Sequence, residues 1–303
     1  MGRNDSIAHE PGVIGHRLAL GTVQFGLPYG IANRTGVVSA TAAAAILSHA
    51  ESAGFDTLDT AIAYGASEQR LGEIGVGRWR VISKLPPMPE PCTNVKVWVN
   101  AAVHASLQRL RIRSLYGLLL HNSRQLLGAQ GNALYRALTA LKLDGTIDRI
   151  GVSIYDPEEL DALYPRLQLD LVQAPLNIMD RRLLASGWLN RLHAAGVEVH
   201  VRSAFLQGLL LMNDATRPAQ FNRWRSLWDE WQRWLNEQAL HPLQACLGYL
   251  QSQPQIDRVV VGVDSVQQLR EILASAGHRG VNPPAELMSE DPELINPSRW
   301  NSP

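Results

Sequence analysis

The chain has 303 residues, of which 46% are hydrophobic and 18% are charged. This composition is that of a globular protein with a large buried core, and it excludes disorder over the whole length. The 28 basic and 28 acidic residues cancel, so no net charge favours binding to nucleic acid or to an anionic membrane. We therefore expect neither as a partner.

Three further absences bear on localisation and metal binding. The two cysteines, Cys92 and Cys246, do not have the spacing of a metal site or of a redox pair. No run of about 18 apolar residues could span a membrane, and the polar start lacks the apolar stretch of a signal peptide. The sequence therefore predicts a cytoplasmic protein without a bound metal.

Short apolar runs alternate with helical stretches from about residue 17 to about residue 275. The runs lie at residues 18–20, 57–59, 81–84, 115–121, 150–153, 169–174, 197–203 and 258–263. Ser39 and the pair Asp156-Pro157 are typical of helix starts. Gly54 and Gly196 are typical of helix ends. Eight such units in a row favour a single domain, one closed (β/α)8 TIM barrel, over an open doubly wound sheet.

Two segments lie outside this repeat. Residues 1–15 form an N-terminal extension, and residues from about 277 to 303 form a C-terminal tail. The Pro-Pro, Asp-Pro and Asn-Pro pairs of the tail interrupt regular structure. We expect the tail to lie as an arm across the barrel.

The longest connection, residues 208–240, is rich in tryptophan. Five apolar side chains recur there at helical spacing: Phe221, Trp224, Trp228, Trp231 and Leu235. This spacing favours an apolar helix face packed on the barrel. A lid that contacts the substrate is the alternative.

Four chemically distinct side chains follow the second, third and fourth strands. Asp59, Lys84 and His121 stand at the ends of those strands, and Tyr64 comes soon after Asp59. Reactive groups in such barrels come from the carboxyl ends of different strands, so these side chains should meet at one mouth. An acid, a phenol, an ammonium and an imidazole can together transfer protons.

Each of these residues also has a structural explanation when taken alone. His121 could be a buried core histidine, Tyr64 a loop tyrosine and Asp59 a helix cap. Lys84 is harder to explain, because lysine occurs only at positions 84, 96 and 142, and this one ends a buried strand. The combination therefore favours chemistry.

Several motifs, in order along the chain, resemble the aldo-keto reductase family. They are residues 54–61, GFDTLDTA, followed by Tyr64-Gly65 and Ser67-Glu68; residues 83–84, SK; and residues 118–121, LLLH. The likeness extends over about residues 17–275. It implies a (β/α)8 barrel that uses NADP(H) or NAD(H), with a catalytic tetrad of Asp59, Tyr64, Lys84 and His121.

The resemblance implies a role for each tetrad residue. A free phenol, with a pKa near ~10, donates a proton poorly at neutral pH unless its phenolate is stabilised. Lys84 would supply that positive charge, and Asp59 would keep Lys84 charged and oriented. His121 would orient the substrate carbonyl and assist proton transfer, while Tyr64 gives the proton.

The cofactor contacts implied by the resemblance come from several strand ends: Gly21, Thr22, Asp59, Ser153, Gln173, Arg202, Ser203, Gly262, Asp264 and Gln268. Two positions near the nicotinamide depart from the family pattern. Ile154 stands where an asparagine usually follows the serine, and Arg202 stands where an aromatic ring usually stacks on the nicotinamide. A planar guanidinium can also stack on a flat ring, so we expect the cofactor to bind in an altered way.

A third departure concerns the adenosine end. Many relatives carry a basic residue for the 2′-phosphate of NADP at the position of Asp264, which stands at the start of a helix. Asp264 would repel this phosphate, although Gln268 and Arg270 could still reach the adenosine end, so that binding of NADP stays possible. Alternatively, Asp264 is a plain helix N-cap.

These observations predict an oxidoreductase that depends on NAD(P)(H) and reduces an aldehyde, a ketone or a sugar-derived carbonyl to an alcohol. Its partner is a small-molecule substrate, and a homo-oligomer remains open. One alternative is a regulatory subunit that senses the nicotinamide nucleotide with negligible turnover. Another is a lyase or isomerase barrel that uses the same groups without hydride transfer.

Overall fold

A computed structural model describes residues 15–278 and 280–300 of the chain. Within these ranges, eight parallel strands close into a barrel in sequence order. The strands are β1 Leu18–Gly21, β2 Thr57–Asp59, β3 Arg80–Leu85, β4 Leu115–Leu120, β5 Ile147–Ser153, β6 Leu171–Pro175, β7 Glu198–Arg202 and β8 Arg258–Gly262.

Closure of the barrel is seen at β1, which pairs with β2 on one side and with β8 on the other. Gly21 is the partner of Asp59 in β2 and of Gly262 in β8. The predicted (β/α)8 TIM barrel is therefore confirmed. The predicted N-terminal extension lies, apart from Gly15, outside the described residues.

Helices follow the strands around the barrel. The α-helices are α1 Ala40–Ser52, α2 Ser67–Ile74, α3 Val95–Leu110, α4 Gly131–Leu143, α5 Glu158–Leu163, α6 Arg182–Ala185, α7 Trp188–Ala194, α8 Arg225–Glu237, α9 Pro242–Gln251, α10 Val266–Ser275 and α11 Pro292–Ile295. Short 3-10 helices lie at Val23–Phe25, Ser123–Leu127, Leu206–Leu211, Ala219–Trp224, Ala285–Leu287 and Pro297–Arg299. In the part of the chain that the structure describes, no helix is long and apolar enough to cross a bilayer.

Local signals at the helix ends act as the sequence predicts. The Ser39 hydroxyl caps α1 by accepting a hydrogen bond from the amide three residues on, at 3.2 Å. The Asp156 carboxylate accepts one from the amide of Glu158, the first residue of α5, at 3.2 Å, although the N-cap residue is Pro157 and not Asp156 as predicted. Gly54 and Gly196 follow helices with φ angles of 85° and 71°, which glycine adopts without strain.

The bounds of β2 match the predicted run, and those of the other strands differ from it by at most three residues at either end. β3 extends one residue further at each end than predicted, and β7 stops at Arg202 rather than at Ser203. Ser203 has a φ angle of 60°, which an extended strand does not allow, and the chain turns there.

The Trp-rich connection forms α8 and the turn before it, and it packs against the barrel. Phe221, Trp228, Trp231 and Leu235 are each at most 3% exposed. None of these four side chains lines either of the two cavities described below. The predicted packing role is therefore confirmed, and the alternative of a substrate-contacting lid has no support.

The tail is attached to loops at the carboxyl end of the barrel. The Arg181 guanidinium, which follows β6, donates to the carbonyl oxygens of Pro283 and Pro284 at 3.1 and 2.8 Å. Near the other end of the tail, the ring of Trp300 packs edge-on against Phe221, with centroids 4.9 Å apart. The tail therefore lies as an arm against the end of the barrel that carries the tetrad.

A buried polar cluster surrounds Glu198 at the amino end of the barrel. The Glu198 carboxylate lies 2.8 Å from His200 Nε2 and 3.1 Å from Arg149 Nε, and it accepts a hydrogen bond from the Tyr116 hydroxyl at 2.7 Å. Burial by itself would raise the pKa of Glu198. The hydrogen bonds from His200 and Tyr116 outweigh burial and hold this pKa at about 2.

This cluster predicts a loss of stability in acid. The pKa of Glu198 lies below its ordinary value of 4.5, so its stabilisation is complete above that value and is lost as the pH falls toward about 2. We expect Glu198→Gln to lower the free energy of unfolding by about 1–3 kcal/mol at about pH 7, because the network loses its charged acceptor. The difference from wild type should shrink at about pH 3. Urea unfolding at both pH values measures this, and an equal difference would show that the ionised carboxylate does not stabilise the fold.

Candidate active site

The site stands on a packed layer inside the barrel. This layer is formed by three fully buried apolar side chains: Ile82 of β3, Leu119 of β4 and Leu171 of β6. Side chains alternate between the two faces of a strand, so residues two positions further share the same face, nearer the carboxyl end. Those residues are Lys84, His121 and Gln173. The two-residue period of the side chains along a strand therefore places these three residues at one level, directly next to the apolar layer.

A tight turn after β2 brings Tyr64 to the same level. Gly65 has a φ angle of 53°, and a Cβ there would come within 2.5 Å of the Gly26 carbonyl oxygen. A Cβ on Gly26 would in turn lie 1.8 Å from the Tyr64 carbonyl oxygen. Glycine is therefore required at both positions for the Tyr64 turn to pack on the loop after β1.

Lys84 is the centre of the tetrad. Its ammonium donates to Asp59 Oδ1 at 2.7 Å, to the Thr60 carbonyl at 2.9 Å and to the Tyr64 hydroxyl at 3.3 Å. Burial by itself would lower the pKa of Lys84, but the Asp59 carboxylate, followed by Tyr64, outweighs burial and the pKa is raised. The structure thus holds a buried cation in contact with the phenol oxygen.

Asp59 is fixed on both sides. While Oδ1 faces Lys84, Oδ2 accepts a hydrogen bond from Gln173 Nε2 at 2.7 Å. The Asp59 carboxylate therefore cannot turn away from Lys84 without losing a second bond. Gln173 was predicted to contact the cofactor, and its Oε1 and the second N–H of its amide remain for that contact.

His121 faces Tyr64 across the mouth of the barrel. The two ring centroids are 5.8 Å apart, with the rings edge to face at 76°. Burial, together with the nearby Lys84 ammonium, lowers the pKa of His121 to about 4. The imidazole is therefore neutral at neutral pH.

Two motif residues of α2 hold the strands behind the tetrad. The Ser67 hydroxyl donates to the Thr22 carbonyl at 2.8 Å and so joins α2 to the end of β1. The Glu68 carboxylate, 1% exposed, accepts from the Ser83 hydroxyl at 2.6 Å, on the opposite face of the strand from Lys84. Sequence analysis identified both residues as part of a motif and missed these roles.

A cavity of about 380 Å³ opens beside Tyr64. Nine of the ten predicted cofactor residues line it: Gly21, Thr22, Asp59, Gln173, Arg202, Ser203, Gly262, Asp264 and Gln268. Ser153 is the exception, since it lines a second cavity beside His121. The guanidinium of Arg202 is held by a hydrogen bond from its Nη2 to the Ile154 carbonyl oxygen at 2.9 Å.

The first cavity fits a polar ligand such as a dinucleotide. Gln24 lines it and is 8% exposed, and its Oε1 has no hydrogen-bond partner among the described residues. A Cβ on Gly262 would lie 2.4 Å from Gln24 Nε2, so the glycine at the end of β8 leaves room for this amide. A buried amide oxygen without a partner is costly, which indicates that a ligand donates to it. Sequence analysis missed Gln24. Its position close after the end of β1, together with its polar side chain, could have indicated a role in the site.

Hydrogen bonds between loops close over the first cavity, and sequence analysis did not predict them. The Gln207 amide donates to the Tyr29 hydroxyl at 3.2 Å, which joins the loop after β7 to the loop after β1. Asn33 Nδ2 donates to Asp264 Oδ1 at 3.3 Å, which joins the loop after β1 to the loop after β8. A ligand in the cavity would be enclosed by these contacts.

The geometry at the start of α10 decides whether Asp264 is the N-cap of this helix. Ser265 is the N-cap, because its hydroxyl accepts from the Gln268 amide at 3.2 Å. The alternative in which Asp264 is the cap is therefore wrong. Burial raises the pKa of Asp264, and a hydrogen bond with Gln268 opposes that shift.

The wall of the first cavity at the start of α10 and along this helix is acidic. Asp264 and Glu271 both belong to this wall. Among the described residues that line the cavity, Arg202 is the only arginine or lysine, and Arg270 is absent from them.

A stacked pair stands between the first cavity and the second. The Arg202 guanidinium lies over the Tyr155 ring, 4.6 Å from its centroid. Arg202 lines the first cavity, whereas Tyr155 lines the second, together with His121 and Ser153. The guanidinium expected to stack on the cofactor is therefore stacked on a tyrosine of the chain itself.

The chain is similar to known proteins along most of its length. The model of the aldo/keto reductase family matches residues 17–280. A solved structure assigned as an aldo-keto reductase from Pseudomonas aeruginosa is 24% identical, with a TM-score of 0.64, and the match covers 89% of this chain and 94% of that one. An aldo-keto reductase from Bacillus halodurans, solved in a holo form, is 20% identical, with a TM-score of 0.69 and 86% of each chain covered. No curated protein matches the chain significantly. The two solved structures share the barrel fold.

Proposed function

Because the chain belongs to the aldo/keto reductase family of oxidoreductases, we propose that it reduces a carbonyl compound to an alcohol with Tyr64 as the proton donor. The hydride comes from NADPH or NADH, and the carbonyl is that of an aldehyde, a ketone or a sugar derivative. The observation that carries this proposal is the buried Lys84 ammonium, which lies 2.7 Å from Asp59 and 3.3 Å from the Tyr64 hydroxyl.

The tetrad side chains divide the work of proton transfer. Tyr64 gives its hydroxyl proton to the substrate oxygen as negative charge develops there. The Lys84 ammonium stabilises the phenolate that remains, because the two groups are in contact in a buried site. Asp59 keeps Lys84 charged and in place. The chemistry that a nicotinamide nucleotide would supply here, when bound, is hydride transfer.

His121 has a different task. With a pKa of about 4, its imidazole is neutral at neutral pH and cannot act as a cationic proton donor. A neutral ring can still donate a hydrogen bond to the carbonyl oxygen and hold it beside Tyr64, whose ring centroid is 5.8 Å away. Because a neutral imidazole is a poor proton donor, the lowered pKa of His121 supports Tyr64 rather than His121 as the general acid.

The proposal is tested by the absorbance of NADH and NADPH in the presence of a panel of aldehydes, ketones and aldoses. Oxidation of the nucleotide that requires both the enzyme and the carbonyl compound is the expected result. Tight nucleotide binding without oxidation by any compound would favour a regulatory subunit. Neither binding nor oxidation would favour a lyase or isomerase.

Coenzyme preference is a separate expectation. An acidic side chain can accept a hydrogen bond from a ribose 2′-hydroxyl, but it opposes a 2′-phosphate of nearly two negative charges. Asp264 and Glu271 line the first cavity at α10, where the adenosine end of the nucleotide would lie. We therefore expect a weak preference for NADPH, or a preference reversed toward NADH.

Asp264→Arg should shift binding toward NADPH by about 1–3 kcal/mol, the scale of a charge-assisted hydrogen bond. Fluorescence titration of wild type and variant with both nucleotides measures this shift. Asp144→Arg makes the same change of charge in the exposed turn after α4, at the opposite end of the barrel, and should not alter the preference. Strong NADPH selectivity in wild type, unchanged in Asp264→Arg, would contradict this role of Asp264.

A further inference from the structure

The second cavity lies beside the tetrad, on the side of His121. Its volume is about 440 Å³, and its inner part is formed by His121, Ser153 and Tyr155. Tyr64 lines the first cavity, so the two facing rings of Tyr64 and His121 mark the boundary between the cavities. A substrate whose carbonyl group lies at this boundary would have its other atoms in the second cavity.

The outer wall of the second cavity is polar and carries two guanidinium groups. It is formed by residues that follow β4 and by residues of the tail: Asn122, Arg124, Asn296, Ser298 and Arg299. The tail segment is fixed in place, since the Trp300 indole donates to the Glu293 carbonyl at 3.1 Å and its ring packs against Phe221. The wall is therefore a built part of the fold.

Both guanidinium groups are available to a ligand. Arg124 is exposed, and its guanidinium makes no hydrogen bond to the described residues, whereas its backbone amide donates to Asn122 Oδ1 at 3.2 Å. Arg299 Nη1 lies 3.4 Å from Glu293 Oε1, and both side chains are about half exposed, at 54% and 47%. An ion pair of this length and exposure contributes little, so a bound anion could replace it.

The one acidic side chain among the described residues of this cavity is engaged elsewhere. Glu159 Oε1 accepts from the amides of Tyr155 and Asp156 at 2.9 and 3.1 Å. Its Oε2 accepts from the Ser123 hydroxyl. Glu159 thus holds its own loop and leaves both arginines without an acidic partner inside the cavity.

We propose that the substrate carries a carboxylate or phosphate group apart from its carbonyl, and that Arg124 and Arg299 bind this group; the inference rests on the function proposed above. Arginine suits both anions because its planar fork presents parallel N–H donors. The side-chain oxygens of Asn122 and Asn296 already accept hydrogen bonds, from the Arg124 amide at 3.2 Å and from Ser298, which leaves their NH2 groups to donate. An apolar aldehyde would satisfy none of these donors, and a neutral polyol would bring no negative charge to either guanidinium.

The test compares matched aldehydes that differ in one terminal group. One pair is 4-oxobutanoate and butanal, for a carboxylate, and the other is glyceraldehyde 3-phosphate and glyceraldehyde, for a phosphate. In at least one pair, kcat/KM should favour the anionic compound by at least ~10-fold. Arg124→Gln and Arg299→Gln should each lower kcat/KM for that compound about 10-fold or more, mainly through KM, and bring the ratio toward one. Arg136→Gln, on the exposed face of α4, removes the same charge away from the cavity and should leave the ratio as it is in wild type.

The outcomes separate this inference from the proposed function. Reduction of anionic and neutral aldehydes with equal kcat/KM, unaffected by the arginine variants, would overturn the anion site and leave the reductase intact. If no aldehyde were reduced, the proposed function would fail, and calorimetric titration with succinate and glycerol 3-phosphate would still test the cavity. Binding that weakens at least ~10-fold in Arg124→Gln would uphold an anion site, whereas no binding of either compound would overturn it.

Discussion

Tyr64→Phe is expected to lower kcat by at least ~100-fold, the usual scale of a general acid's contribution, while folding and nucleotide binding stay near wild type. The substitution removes only the hydroxyl, which receives a hydrogen bond from the Lys84 ammonium at 3.3 Å. The ring that remains can still pack edge-on against His121 and lie 4.9 Å from Lys84 Nζ. The loss of turnover would therefore report on proton donation.

Steady-state reduction of the best aldehyde, with nucleotide affinity from fluorescence titration, measures this effect. Tyr135→Phe is the matched control: the Tyr135 hydroxyl donates to the Gln168 carbonyl at 2.9 Å on the outer surface of the barrel, and this tyrosine lines neither cavity. It should retain full turnover. If Tyr64→Phe also retained most of its turnover, Tyr64 would not be the proton donor.

Lys84→Met is the second variant with a large expected effect. It should be nearly inactive, because the phenolate of Tyr64 loses the cation that lies 3.3 Å from its oxygen. In the reverse direction, alcohol oxidation, the pH profile should move to higher pH by about 1–3 units, the shift that a contacting opposite charge produces. An unchanged profile with turnover intact would mean that Lys84 is structural.

Lys84→Met also leaves the buried Asp59 carboxylate without its cation, which costs about 3–5 kcal/mol when one partner of a buried pair is removed. A second variant, Asp59→Asn with Lys84→Met, removes that unpaired charge. It should regain stability without regaining turnover, which separates folding from catalysis. Lys142→Met removes an ammonium from a partly exposed pair with Asp170 on the outer surface and should leave the pH profile of oxidation unchanged.

The positions of the barrel strands and of the tetrad could be predicted because both depend on short-range regularities. Continuous apolar runs mark strands that are covered on both faces, and the carboxyl ends of parallel strands share one mouth. The two-residue period then places Lys84 and His121 on the same level as Gln173. The proton-transfer roles of these residues stay predictions until the variants are measured.

Contacts between distant loops could not be predicted in the same way. Tyr29 and Gln207 are 178 positions apart, and Asn33 and Asp264 are 231 apart, yet each pair is joined by a hydrogen bond over the first cavity. No periodicity links such residues, because their approach depends on how irregular loops pack once the barrel has closed. Gln24 was missed although it lies close after the end of β1, because its burial beside Gly262 depends on the closure of the barrel.

The order and period of the strands, read from the amino-acid sequence, were enough to predict the closed barrel and the mouth that holds the tetrad. The nine predicted residues that line the first cavity came from the resemblance to the aldo-keto reductase family. Three features became visible only in the folded protein: Arg202 stacks on Tyr155, Ser265 rather than Asp264 caps α10, and the tail places Arg299 in the same cavity as His121. In each of these cases, several partners were compatible with the local sequence. The actual partner is the one that the folded barrel brings within hydrogen-bond or van der Waals distance.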